Sequence, residues 1–245
     1  MNIRQQNILF AVIQNYIETG VPVSSAIIAS KYLQSVSTAT IRAELAWLEE
    51  NGFLHQPHTS AGRVPTDQGY RLYVNELQHS YQLSPVEQQL IKQGIHQHNT
   101  LVDILQNTVK VLAGCLECIS LITAPKTVDV YSSGTAQLID HPEFDSVAKI
   151  RNILQILEDK QQLLENVQQE LFNKPIVIKI GDEIDQPELA DCSIIAIKYN
   201  IAHEPAGIVS CITSKRIYYD KAQSTMNHVA QQLENSVDNL MANVQ

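Results

Sequence analysis

Apolar residues recur every three to four positions in the first eighty residues. Ile8, Leu9, Val12, Ile13, Tyr16 and Ile17 form one face of a helix over residues 4–19. Gly20 stops it. After Pro22 and Val23, Ser24 or Ser25 caps a short second helix reaching Tyr32, and Ser37 caps a third that runs to about Asn51-Gly52. Phe53-Leu54-His55-Gln56 and Arg63-Val64-Pro65 read as short strands around the loop 57–62. Thr66 or Asp67 caps a helix to about His79. Three helices followed by a β-loop predict a winged helix-turn-helix over residues 1–80.

Later the pattern alternates helix and strand. Ser84-Pro85-Val86-Glu87 is a capping box with proline in the first turn. A helix over residues 101–113 ends at Gly114, and residues 115–122 read as a strand. Val147, Ile150, Leu154 and Leu157 return to helical spacing. Residues 176–180, 193–199 and 207–213 read as strands, and Ala222, Met226, Val229, Leu233, Val237 and Leu240 line a last helix. The class is α+β, with a second domain over residues 81–245.

The third helix carries the candidate chemistry. At about 100° per residue, Ile41, Leu45 and Leu48 share a narrow stripe, opposite Ala39, Ala43, Ala46 and Glu50 and flanked by Arg42. Small side chains let a helix approach a major groove closely, where alanine methyls meet thymine methyls and arginine reads guanine or holds phosphate. Candidate DNA contacts are Ser37, Thr38, Ala39, Thr40, Arg42 and Ala43 on the helix, His58, Thr59, Ser60 and Arg63 on the loop, and Arg71 beyond it. A solvated face rich in helix-forming alanine gives the same pattern.

Net charge is −9 over 245 residues, but only −1 falls in residues 1–80, where four of five cations are arginine. Such a chain does not wrap nucleic acid with its whole surface, so a nucleic-acid site must be local. If Arg4, Lys31, Arg42, Arg63 and Arg71 each neutralised a phosphate, binding would fall with salt at a log–log slope near −4.5. No apolar run reaches membrane-spanning length and no secretory signal is visible, which predicts a cytoplasmic protein with no membrane partner. Four cysteines suit a reducing compartment. Cys115-Leu116-Glu117-Cys118 has the spacing of half a zinc site, but a strand would point the two thiols to opposite faces. His55 with His58, and His96 with His98, lack suitably spaced ligand partners. No catalytic or nucleotide-binding motif appears, so neither an enzyme nor a cofactor is expected.

Several stretches carry a family resemblance. Residues 16–25, Val36-Ser37-Thr38-Ala39-Thr40-Ile41-Arg42 and Leu48-Glu49-Glu50-Asn51-Gly52-Phe53-Leu54 resemble the heat-inducible transcription repressor HrcA family. So does the long run from Gln56-Pro57-His58-Thr59-Ser60-Ala61-Gly62-Arg63 to Tyr70-Arg71. Residues 134–144 resemble the family's glycine-threonine to proline-glutamate-phenylalanine loop, and residues 215–219 its turn into the last helix. The resemblance implies a GAF-like second domain, an inverted-repeat operator before chaperone genes, release under heat stress, and a GroEL-type chaperonin as co-regulator. Three departures stand out. Residues 125–131 run straight through where the family carries sheet strands and an inserted dimerisation domain, so the GAF-like domain is truncated. Ala43-Glu44 replaces Asn-Asp, and Thr213-Ser214-Lys215 replaces Gly-Pro-Thr. An inverted repeat needs a two-fold protein, so a homodimer is expected, built by the GAF-like domain or by the amphipathic helices 147–171 or 222–240. Each helical stripe has the alternative of packing on its own sheet. Two other readings stand beside the repressor: a winged-helix regulator sensing a ligand, and a degenerate paralogue working through protein contacts.

Overall fold

Side-chain caps open the helices of the N-terminal unit. The computed structural model describes residues 1–77, 81–96, 99–125, 127, 129–139, 141–202 and 204–242. In α1 (Ile3–Thr19), Gln5 N donates to Asn2 Oδ1 and Asn2 N donates to Gln5 Oε1. Gly20 ends α1 at φ +68°. Ser24 caps α2 (Ser25–Ile27), which runs into a π-helical turn over Ile28–Tyr32. Ser37 caps α3 (Thr38–Glu50), and Thr66 caps α4 (Asp67–Glu76). Between these two, β1 (Leu54–His55) pairs antiparallel with β2 (Val64–Pro65). Ile8, Leu9, Val12 and Ile13 of α1 are fully buried, as are Ile28, Ile41 and Leu48. Each such side chain contributes about 1.5–3 kcal/mol of transfer free energy. This unit comprises Met1–Gln78 and Arg216–Tyr218. Arg216 donates from Nε to Tyr16 O at 3.1 Å and from Nη2 to Ile17 O at 3.3 Å, satisfying carbonyls at the end of α1.

The second unit is built on a five-stranded antiparallel sheet. Its elements are α5 (Pro85–His96), α6 (Leu101–Leu116), β3 (Ile119–Thr123), β4 (Val130–Ser133), α7 (Thr135–Ile139), α8 (Val147–Glu158), α9 (Lys160–Leu171), β5 (Ile176–Ile180), β6 (Cys192–Ile201), β7 (Glu204–Ser214) and α10 (Tyr219–Ala242). The strand order is β4-β3-β7-β6-β5. Alternation sorts the two faces. Ile119, Leu121, Ile194, Ala196 and Ile212 form one core with Ile153 and Leu157 of α8 and Leu163, Leu164 and Val167 of α9. On the other face α10 packs on β6, α5 and α6, and Ser193 Oγ lies 2.8 Å from the Tyr219 hydroxyl. The chain is therefore α+β.

The structure corrects several expectations. α6 passes Gly114 and ends at Leu116, with Glu117 at φ +49°. Burying Leu116 outweighs a glycine penalty of about 1 kcal/mol. Cys115 is therefore helical, and the strand argument against a cysteine pair fails. Burial instead raises the pKa of both Cys115 and Cys118, which disfavours the thiolate form. Among the described residues no group of three or more His, Cys, Asp or Glu side chains is arranged to hold a metal. Residues 130–133 form a strand that the sequence pattern does not predict, and 135–139 form a helix where the resemblance implies a loop. Ala222, Met226, Val229, Leu233 and Val237 of α10 are buried inside their own unit, so this stripe is not open to a second copy. On α8 and α9 most of the apolar stripe is likewise buried, leaving Val147 and Leu154 exposed. Among the described residues no helix is long and apolar enough to cross a membrane. The expected helix end at His79, the histidine His98, and Asp140 of the 134–144 loop lie outside the described residues.

The capping box of α5 sets a pH dependence. Glu87 Oε2 accepts from Ser84 N at 2.9 Å and from Ser84 Oγ at 2.8 Å, and Lys221 Nζ lies 3.1 Å from Glu87 Oε1. The Ser84 backbone and hydroxyl bonds, then Lys221, lower the Glu87 carboxyl from 4.5 to about 2. Its folded pKa lies below its unfolded value, so its contribution is complete above about pH 4.5 and is lost as pH falls toward 2. Glu87→Gln should therefore unfold more easily than the parent at pH 7. The gap should close between pH 4.5 and 2, as measured by urea unfolding of both proteins. A gap independent of pH would contradict this assignment.

Candidate nucleic-acid interface

The buried stripe of α3 orients its opposite face. Ile41, Leu45 and Leu48 are buried, while Ser37, Thr38, Ala39, Arg42 and Ala43 are exposed and Thr40 and Ala46 are half-buried. At the N-terminus, Thr40 N donates to Ser37 Oγ at 3.1 Å and the two hydroxyls lie 2.8 Å apart. This end therefore offers hydroxyls and helix N–H groups, a combination suited to an anionic oxygen. Among the described residues Arg42 has no carboxylate partner.

The hairpin loop is braced by one side chain. Gln56 Nε2 donates to Thr59 O at 3.0 Å and to Ala61 O at 2.8 Å, and Ala61 N donates to His58 O at 2.8 Å. His58, Thr59 and Ser60 are all exposed at the tip. The base of the loop is pinned. Val23 N donates to Arg63 O at 2.8 Å and Arg63 N to Val23 O at 2.9 Å. A Cβ on Gly62 would sit 2.5 Å from the Val23 carbonyl carbon, so only glycine permits this approach.

The cations differ from their expected disposition. Arg63 is not extended at the tip: its Nη2 lies 2.8 Å from Glu49 Oε2, and its side chain is 19% exposed. A partly exposed pair of this kind is worth at most about 1 kcal/mol to stability. Arg4 pairs with Glu44 at 3.5 Å and Lys31 with Glu18 at 2.6 Å. Arg71 is half-buried on α4, which packs on α1 and β2. At least three of the five cations counted for phosphate binding, Arg4, Lys31 and Arg63, are thus already engaged by carboxylates. A slope near −4.5 would require those pairs to exchange.

Sequence reasoning placed Ser37, Thr38, Ala39, Thr40, Arg42 and Ala43 on α3, and the structure gathers them there. His58, Thr59 and Ser60 meet at the loop tip. Glu44, Glu49 and Gln56 were missed as organising residues. Glu44 Oε2 accepts from Gln5 Nε2 at 2.9 Å while its other oxygen faces Arg4. Gln56 lies only three and five residues from the carbonyls it binds, a local spacing, whereas Glu44 meets Gln5 and Glu49 meets Arg63 across long stretches of chain.

The family model and the curated relatives name one family. The HrcA protein C terminal domain model matches residues 65–222. Heat-inducible transcription repressor HrcA of Clostridium perfringens strain 13 is 28% identical over 337 positions, covering 96% of this chain and 98% of the relative. The protein of the same name from Clostridium botulinum strain Alaska E43 is 29% identical over 338 positions, with the same coverages. These alignments exceed the 245 residues of this chain, so the relatives carry about ninety or more residues with no counterpart here. At the ends of the β3–β4 connection Ala124 N donates to Asp129 O at 2.9 Å. A crystal structure of a hypothetical protein shares the fold, with a TM-score of 0.87 and 22% identity, over 98% of this chain and 99% of that one. Matched by the family model over more than half of its length, the chain belongs to the HrcA family.

Proposed function

We propose that this protein is a transcription repressor that binds an inverted-repeat operator as a homodimer and releases it under heat stress. In this reading the first unit is a winged helix-turn-helix, with α3 in the major groove and the β1–β2 tip at the flanking backbone. The second unit is a truncated GAF-like domain. The observation that carries the reading is the outer face of α3, where Ala39, Arg42 and Ala43 are exposed opposite a fully buried stripe. Ser37, Thr38 and Thr40 contact phosphate there, with His58, Thr59 and Ser60 at the tip and Arg71 alongside. The relatives' names support the repressor role, and the family resemblance supports a GroEL-type chaperonin as co-regulator. The protein acts in the cytoplasm as a regulator rather than an enzyme, and the reading requires no cofactor, metal or membrane.

Fluorescence anisotropy on an inverted repeat and a scrambled duplex tests this. The repeat should be preferred by about a thousandfold or more. Arg42→Ala should lose about 1–3 kcal/mol of that preference. Equal binding to both duplexes by the parent protein overturns the operator reading.

One feature favours the ligand-sensing alternative. A cavity of about 330 Å³ lies between α9 and the sheet, lined by Thr123, Leu164, Phe172, Lys198 and Ile208 among others. That volume is at the low end for small-molecule sites.

A further inference from the structure

We infer that Arg63 is a positioning residue rather than a phosphate ligand, and that the Glu49–Arg63 pair sets the spacing between the α3 face and the hairpin tip. The inference rests on the DNA-binding reading and deepens it. Four observations converge. The Arg63 guanidinium turns toward α3, with Nη2 2.8 Å from Glu49 Oε2 and a side chain only 19% exposed. Its Nε is buried without a partner among the described residues, so the group sits within the unit rather than on an outer ridge. Its backbone makes both hydrogen bonds of the bridge to Val23, at the base of the loop rather than the tip. Gly62 packs against the Pro22–Val23 backbone too closely for any side chain, so this base cannot swing outward without breaking the bridge.

Arg63 therefore joins three segments: the 22–23 connection, β2 and the C-terminal half of α3. A phosphate contact would require it to leave Glu49. The exposed groups at the tip are His58, Thr59 and Ser60. Groove reading is sensitive to displacements of about 1 Å, so a pair that fixes hairpin height governs discrimination without touching the duplex.

The two roles predict opposite behaviour for Glu49. For a phosphate-binding Arg63, removing a nearby anion should tighten binding to every duplex. For a positioning pair, it should damage discrimination as much as loss of Arg63 does. The experiment measures binding of the full chain to the repeat and scrambled duplexes across a salt series. The variants are Arg63→Gln, Glu49→Gln and the exchange Glu49→Arg with Arg63→Glu. The expected result is a fall of about tenfold in the preference ratio for each single variant, an unchanged salt slope, and recovery in the exchange. A slope shallower by about 1 in Arg63→Gln, tighter binding in Glu49→Gln, or unchanged discrimination in both single variants overturns the inference. Should the parent protein itself show no preference for the repeat, the operator reading fails separately. A double-mutant cycle on thermal unfolding then decides the pair: measurable coupling supports it, and additive effects overturn it.

Discussion

Ala43→Glu is expected to abolish discrimination of an inverted repeat, by about a hundredfold or more, while leaving thermal unfolding within about 0.5 kcal/mol of the parent. Ala43 is exposed on α3, one turn from Ala39, and neither side chain contributes to the core. On the operator reading, a glutamate there adds bulk to the face proposed to approach the groove and sets a negative charge against phosphates. Ala43→Asn is the control. Asparagine adds bulk without charge and supplies an amide that can read adenine, so it should be tolerated or should shift base preference. If Ala43→Glu binds the repeat as well as the parent does, this face of α3 is not the one that docks.

The second large effect concerns α10. Leu233 is fully buried, in line with Met226, Val229 and Val237. Leu233→Ala should destabilise the protein by about 2–5 kcal/mol, the range for large-to-small changes in packed cores. Oligomeric state, read by light scattering at a concentration where the variant stays folded, should not change. A loss of dimer without loss of stability would mean instead that the stripe faces a second copy. Because the chain has two units, the unfolding transition should be followed by a probe in the second unit, since a single midpoint can merge two events.

The legible parts of the fold were those with local causes. α1, α3 and α4 carry amphipathic spacing and a capping side chain within one turn, and both signals lie inside a short window of sequence. Strands β5, β6 and β7 are rich in isoleucine and were visible as apolar runs. β4 was not. Val130-Tyr131-Ser132-Ser133 has little pattern of its own and is a strand because β3 pairs with it, Ile122 opposite Tyr131 and Ser120 opposite Ser133. Gly114 misled for a related reason: local propensity marks it as a stop, but the burial that carries α6 onward comes from the tertiary fold. The same division runs through the candidate site. Periodicity showed which face of α3 looks outward. It could not show that Arg63 turns inward to Glu49, because that pairing depends on where the hairpin folds back.

Gln56 has a consequence for recognition. Its carboxamide reaches two carbonyls across the turn, so the loop is shaped from within before any partner arrives. Little backbone freedom remains to be lost on docking, and the entropic penalty of ordering such a segment has already been met during folding.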